Sequence, residues 1–256
     1  YLYDKVETYD HLKAVIQGNA MPDPLSEIQE GMGDIEHHML HFLDNHDEQR
    51  LASSEFAGTP EKGKPLMVVS ATISSSPTMI YFGQEVGEAG NEDAGFGKRS
   101  RTSIFDYVGV PNHQRWMNGG LFDGGQLTPK ETALRDFYSR LLNFTLRSDA
   151  MTGKFQEIQT VNRNETANYD PGLYSYVRYT DAEKVIVIAN FSWVTSSTIL
   201  LKVPADVITK WQLKSGDFRL KDQLYGSSYL MRIENGVGLI KLTVKPSESL
   251  ILKLDY

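Results

Sequence analysis

The stretch Met39–Arg50 joins a short apolar run to a cluster of polar residues. The apolar residues of the run are Met39, Leu40, Phe42 and Leu43. Such a run is typical of a strand buried on both faces of a parallel sheet. The polar residues that follow it are Asn45, His46, Asp47 and Glu48. In α/β barrels and open parallel sheets, ligands bind at the C-terminal ends of the strands, which is where this cluster is predicted to lie.

An Asp next to a His at a strand mouth has two interpretations. In the first, Asp47 accepts hydrogen bonds from a polyol or stabilises a developing cation, and His46 donates to a hydroxyl. In the second, both are solvated polar residues that end a strand. The spacing alone leaves the two open.

The first 150 residues show a pattern of alternating strands and helices. The predicted strands are Tyr1–Lys5, Met39–Leu43 and Met79–Phe82. Helices are predicted over Val6–Gln17, over Leu66–Ser75, and after Thr128, where Pro129 and Glu131 complete a good helix start. A complete (β/α)8 barrel takes about 250 residues. These residues therefore predict only part of such a barrel.

The character of the sequence changes from Gly153 onward, where short strand-like runs recur between turn signals. The runs are Tyr174–Tyr179, Val185–Phe191, Thr198–Val203, Tyr229–Ile233, Leu239–Val244 and Leu250–Leu254. They predict an antiparallel β-sandwich. The expected fold class is thus α/β plus all-β, with a partial barrel over residues 1–150 and a sandwich over 151–256.

Composition excludes several classes of partner. The formal net charge of -7 argues against nucleic acids and anionic membranes. The absence of cysteine excludes disulfides and thiolate metal sites. No run is apolar and long enough to span a membrane. The chain begins at Tyr1 rather than Met, so we expect it to have been cut or processed upstream.

A group of ionisable residues before the polar cluster raises the question of a metal site. The group is Glu36, His37, His38 and His41. His residues three and four apart share a face of a helix, but this segment runs into a predicted strand, where neighbours point to opposite sides. The sequence therefore favours no metal site here, and we predict none.

Two blocks of the sequence resemble the α-amylase family of glycoside hydrolases. FLDNHDEQR resembles the family's fourth conserved region, with Phe42, Asn45, His46 and Asp47 at the matching positions. SPTMIYFGQEVGE, over Ser76–Glu88, resembles the last barrel strand of the family. The blocks occur in the family's order, and the predicted β-rich second half matches its C-terminal domain.

The resemblance implies roles for individual residues. It assigns Asp47 to the catalytic site, as the carboxylate that binds sugar hydroxyls and favours the oxocarbenium-like state. It gives His46 and Asn45 substrate-binding roles and Glu85 a supporting role, with a purely structural acceptor as the alternative for Glu85. Retaining cleavage also needs a nucleophile and an acid/base, which belong to earlier family regions. The nearby carboxylates Asp44, Glu48 and Glu85 are not selected for these roles by their spacing.

The resemblance also implies a substrate and a context. It implies retaining cleavage of α-glycosidic bonds in starch-like α-glucans by the complete enzyme, and we expect this chain alone to be inactive. A three-strand part of a barrel exposes two strand edges, so we also expect the missing N-terminal barrel part or self-association to cover them. A glucanotransferase or branching enzyme, and a non-catalytic carbohydrate-binding or structural protein, are the alternatives. The resemblance assigns no cofactor to this chain and leaves calcium open for the complete enzyme, because calcium is common in the family. A periplasmic or secreted location would suit polymer degradation. Trp116 or Tyr107 could line a glucan subsite or fill a small core.

Overall fold

The computed structural model describes residues 2–91, 100–103 and 109–255. Strand β1 (Leu2–Tyr3) pairs in parallel with β2 (Met39–Leu40), and His41 forms a parallel bridge to Thr78. The order of the three predicted strands is therefore found, but each is short. The prediction of a regular strand over Met79–Phe82 is wrong, because only the start of this segment pairs with its neighbour. The chain then turns at Gly83, whose φ is +81°.

Helices flank these parallel segments. Thr59 and Thr128 accept hydrogen bonds from backbone N–H groups of the helices they precede, and Thr128 forms the predicted capping box with Glu131. No helix among the described residues is long and apolar enough to cross a lipid bilayer. The helical segments are a π-helix (Lys5–Tyr9), α1 (Asp10–Ile16), α2 (Leu25–Gly31), a 3-10 helix (Gly33–His38), α3 (Pro60–Thr72), a 3-10 turn (Gln84–Val86), α4 (Pro111–Met117), a 3-10 turn (Asn118–Gly120), α5 (Pro129–Arg147) and a 3-10 turn (Asp149–Thr152).

The second half forms an antiparallel sheet flanked by two short helices. The elements are β3 (Lys154–Glu157), α6 (Gln159–Glu165), β4 (Leu173–Tyr179), β5 (Lys184–Asn190), β6 (Ser197–Val203), α7 (Ala205–Lys210), β7 (Gly216–Asp222), β8 (Ser228–Glu234), β9 (Val237–Val244) and β10 (Ser249–Asp255). The order of strands in the sheet is β3-β4-β5-β10-β7-β8-β9-β6. All six predicted strands are present. Strands β3 and β7 were not predicted, because β7 is mostly polar and exposed and β3 has only four residues.

The sheet curls so that one of its faces encloses a core. Ile186 and Ile188 of β5 share this core with Leu201 of β6 and Ile240 of β9, although β5 and β9 are not neighbours in the ladder. The two-layer packing expected of a sandwich thus comes from one continuous sheet that folds over its own side chains.

The opposite face of the sheet packs against the helices of the first half. Leu66 and Val69 of α3 lie in one core with Phe137 of α5 and with Tyr174 and Val187 of the sheet. All five side chains are buried. Alternation along β4 and β5 produces both cores, because successive residues of a strand point to opposite faces. The domain boundary at residue 150 stays a prediction, and this core crosses it.

Arg178 of β4 connects the two halves through backbone carbonyls. Its guanidinium donates to the carbonyl oxygens of Ile73 at 2.7 Å, Met151 at 2.6 Å and Gly153 at 3.0 Å, and Nε donates to Ala150 at 3.4 Å. The side chain is fully buried. One side chain thus supplies hydrogen-bond donors to the backbone carbonyls just after α3, in the turn after α5 and just before β3.

Replacing Arg178 with Met should destabilise the protein by about 3 kcal/mol, because four carbonyl oxygens lose their donor in a buried place. Urea unfolding followed by circular dichroism measures the effect. Arg219→Met, at an exposed position of β7, is the matched control and should change stability by less than about 0.5 kcal/mol. Equal effects from the two variants would contradict the connecting role of Arg178.

Glu183 fixes the turn after α5 to the sheet. Its carboxylate accepts from the Ser148 hydroxyl and the Ala150 N–H, each at 3.0 Å, and pairs with Lys253 at 2.5 Å. Burial by itself would raise the pKa of Glu183, but Lys253 and the two hydrogen bonds outweigh burial. The pKa therefore lies below its ordinary value in the folded protein.

The stability contributed by Glu183 should consequently be present above its ordinary pKa and be lost as the pH falls through the lowered folded pKa. Glu183→Gln should destabilise the protein at pH 7, and its difference from wild type should shrink as the pH falls below 4.5. Urea midpoints across this range test the prediction, with the exposed Glu234→Gln as control. A difference that is constant with pH would contradict it.

Candidate functional site

The turn after β2 is built by the side chain of Asn45. Its Oδ1 accepts hydrogen bonds from the backbone N–H of Asp47 at 2.7 Å and of Glu48 at 2.8 Å. Asn45 is 6% exposed. This is an Asx-type turn, in which an Asn side chain replaces a backbone acceptor. The structure therefore gives Asn45 a role in shaping the turn, and its predicted role in substrate binding stays a prediction.

His46 and Asp47 lie at the tip of this turn and face solvent. The His46 side chain is 45% exposed and the Asp47 side chain is 71% exposed. His46 Nε2 lies 3.2 Å from Asp47 Oδ2. The pair offers a carboxylate acceptor and an imidazole within reach of the same ligand. The structure thus places three of the four predicted site residues, Asn45, His46 and Asp47, in one turn, and the fourth, Glu85, in a separate 3-10 turn.

A buried ion pair lies beneath the turn. Asp44 Oδ2 is 3.3 Å from Arg50 Nη1, and both side chains are at most 1% exposed. The backbone N–H of Leu51 donates to the other Asp44 oxygen. Burial raises the pKa of Asp44 to about 6, against the opposing effect of Arg50. Asp44 has no access to a ligand in this arrangement, so its use as a substitute catalytic carboxylate is not supported.

Arg50 extends this pair to the third extended segment. Its Nη1 donates to the Phe82 carbonyl and its Nε to the Thr102 hydroxyl, each at 2.7 Å. The Arg50 backbone N–H donates to the Ser100 carbonyl at 2.6 Å. Sequence reasoning did not single out this residue. The available signal was an Asp and an Arg six positions apart on either side of the Asn-His-Asp turn.

Glu48 points toward the N-terminal helices rather than toward solvent. Tyr9 donates its hydroxyl to Glu48 Oε2 at 3.3 Å, and Lys5 Nζ lies 3.5 Å from Oε1. Lys13 Nζ donates to the adjacent Gln49 side chain at 2.6 Å. These contacts close one side of the turn. They also occupy Glu48, the second carboxylate that sequence reasoning considered as a substitute.

Two glutamates follow the third extended segment. Glu85 is half-buried in the 3-10 turn between Gly83 and Gly87, which both adopt the left-handed conformation. Glu88 is 2% exposed, and its oxygens accept from the N–H groups of Ala89 at 3.2 Å and Asn112 at 3.0 Å. Glu88 was missed by sequence reasoning, and it makes the contacts of a structural acceptor. The supporting role of Glu85 stays a prediction.

Glu36 and His41, which raised the question of a metal site, contact different partners. Glu36 accepts from the Ser75 hydroxyl at 2.8 Å. His41 is buried between the Ser70 carbonyl, 2.7 Å from Nδ1, and Asp4, 3.2 Å from Nε2. Within residues 2–91, 100–103 and 109–255, no three His, Cys, Asp or Glu side chains converge to hold an ion. We therefore derive no chemistry from a metal ion.

No protein-family model and no curated protein matches the sequence. Solved structures do match. The Anoxybacillus α-amylase is 16% identical, with 97% of this chain and 46% of that chain covered and a TM-score of 0.64. The Geobacillus thermoleovorans α-amylase complexed with acarbose is also 16% identical, with 97% of this chain and 47% of that chain covered and a TM-score of 0.64. The Bacillus clarkii gamma-cyclodextrin glucanotransferase is 13% identical, with 98% of this chain and 32% of that chain covered and a TM-score of 0.64.

The fold is that of the C-terminal part of an α-amylase. This chain spans about half the length of the two α-amylases and a third of the glucanotransferase. The α-amylase-like fold confirms the expected fold class. It also means that the turn at Asn45–Asp47 lies in a scaffold shared with glucan-acting enzymes.

Asn45→Ala should destabilise the protein by about 1–2 kcal/mol, because two backbone N–H groups lose their acceptor. Asn45→Asp, which keeps an acceptor oxygen at the same place, should recover most of this loss. Urea unfolding of the three proteins measures the effect. If Asn45→Ala unfolds at the wild-type midpoint, the side chain does not hold the turn.

Proposed function

We propose that this chain belongs to an α-glucan-acting glycoside hydrolase of the α-amylase type, with Asp47 in its catalytic site. The observation that carries the proposal is the turn itself. Asn45 holds Asp47 and His46 exposed at the C-terminal end of a parallel strand, within an α-amylase-like fold. This is the position at which barrels of this type bind their ligands.

In the proposed chemistry, Asp47 neither attacks the sugar nor protonates the leaving group. Its carboxylate accepts hydrogen bonds from sugar hydroxyls and stabilises the positive charge of the oxocarbenium-like state. His46 donates to a hydroxyl of the same sugar. The substrate is an α-linked glucan, a class supported by the acarbose bound to the Geobacillus α-amylase.

Retaining cleavage needs two further carboxyl groups about 5 Å apart. Asp44 and Glu48 are occupied by Arg50 and by Tyr9 and Lys5. We therefore propose that the nucleophile and the acid/base come from further chain. Coverage of about half of each α-amylase supports this part of the proposal.

The second candidate is a carbohydrate-binding protein that retains the scaffold without cleavage. Asp44 and Glu48 are bound by other side chains, so Asp47 is the one solvent-facing carboxylate of the segment 44–48. A single free carboxylate favours binding without cleavage, because retaining cleavage needs two. A glucanotransferase differs from a hydrolase in the acceptor that resolves the intermediate. Because a gamma-cyclodextrin glucanotransferase shares the fold, the proposal includes glucan transfer as well as hydrolysis.

In the complete enzyme, which carries the nucleophile and the acid/base, Asp47→Asn should lower the release of reducing sugar from soluble starch by about 10²-fold or more, since it removes a charge that acts on the transition state. Asp217→Asn, which changes an exposed carboxylate of β7, is the matched control and should leave the rate unchanged. Equal rates for wild type and Asp47→Asn would contradict the role of Asp47. Maltoheptaose binding without any sugar release would support the second candidate, and neither binding nor release would contradict both.

A further inference from the structure

A row of aromatic rings runs from the buried Arg50 to the protein surface. The guanidinium carbon of Arg50 lies 4.7 Å from the Phe82 ring centroid, and Phe82 lies 5.0 Å from His113. His113 stacks on Trp116 at 5.6 Å, and Trp116 lies 5.8 Å from Phe122. The row thus connects the base of the candidate site with a ring that is 56% exposed.

The last ring of the row is presented by an unfavourable backbone conformation. Phe122 has φ of +55°, in the left-handed region that a bulky residue rarely adopts. The conformation is held by hydrogen bonds from the Phe122 N–H to the Met117 carbonyl at 2.9 Å and from the Gly124 N–H to the Trp116 carbonyl at 3.0 Å. Strain of this kind concentrates at functional sites. Packing does not explain it, because the ring is mostly exposed.

Polar groups lie in the same loop as the exposed ring. Asn118 Nδ2 donates to Asp123 Oδ1 at 2.8 Å, and both residues flank Phe122 in the same loop. The hydrogen bonds from Asn118 and from the Gly125 N–H lower the pKa of Asp123, which is therefore an ionised acceptor near neutral pH. Arg135 places its guanidinium 5.7 Å from the Trp116 ring. An aromatic face beside fixed donors and acceptors suits a ligand that has both an apolar face and hydroxyl groups.

We propose that Phe122, backed by Trp116 and flanked by Asn118 and Asp123, is an outer binding platform for an α-linked glucan. The ring packs on the C–H face of a glucose unit, and the amide and carboxylate bind its hydroxyls. The choice of glucan rests on the proposed function. The mixed polar rim distinguishes this surface from an apolar docking patch, and the charge of Asp123 disfavours an anionic ligand.

Binding of maltoheptaose, measured by calorimetry and by the fluorescence of tryptophan, tests the proposal. Phe122→Gly removes the ring together with the backbone strain, and it should weaken binding about tenfold while thermal stability stays equal or rises. Phe122→Tyr keeps the ring and should bind within about twofold of wild type. Leu121→Ala, at an exposed aliphatic neighbour, should bind as wild type does.

The outcomes separate this inference from the proposed function. Wild-type affinity in Phe122→Gly, or equal losses in Phe122→Gly and Leu121→Ala, would overturn the platform. A loss of maltoheptaose binding confined to Phe122→Gly supports the platform. This result would stand even if Asp47→Asn hydrolysed starch at the normal rate and the proposed role of Asp47 failed. Absence of maltoheptaose binding by the wild-type protein would overturn the platform and the glucan assignment together.

Discussion

The buried guanidinium of Arg178 is the interaction on which the arrangement of the two halves depends. The parallel strands of the first half are only two residues long, so backbone pairing contributes little to holding them. The helices of that half pack instead on the outer face of the antiparallel sheet. Arg178 fixes the ends of α3 and of the turn after α5 to that sheet by donating to four carbonyl oxygens. A buried cation is costly to desolvate, and here hydrogen bonds to backbone dipoles compensate for the cost.

The candidate site follows from a similar use of buried polar groups. The pair of Asp44 and Arg50 ties the turn after β2 to the carbonyl of Phe82, and Asn45 closes the turn from inside. These contacts direct the neighbouring His46 and Asp47 outward. The solvent-facing residues thus make few contacts with the protein, while the residues that position them are buried. Preorganisation of this kind lets a carboxylate act on developing charge without reorganising.

Sequence reasoning was most successful where a pattern is local. The capping box of α5 requires only Thr128 and Glu131, and a continuous run of apolar residues is enough to find a strand such as β5. It was least successful where a segment depends on its neighbours. Strand β7 carries few apolar residues and forms because β8 and β10 supply its hydrogen bonds. Met79–Phe82 is apolar, yet it leaves its neighbour early because Gly83 turns the chain.

The sequence by itself determined the class of fold, the Asn-His-Asp turn and the positions of most strands, because periodicity, caps and turn residues act over a few positions. Tertiary structure alone decided which carboxylates face solvent. Asp44, Asp47 and Glu48 lie within five positions, yet one is buried by Arg50, one is exposed and one is bound by Tyr9. The partners Tyr9 and Phe82 are more than thirty positions away from the residues they contact. Burial and hydrogen bonding depend on which distant residues the fold brings into contact, and the spacing of residues along the chain does not show those contacts.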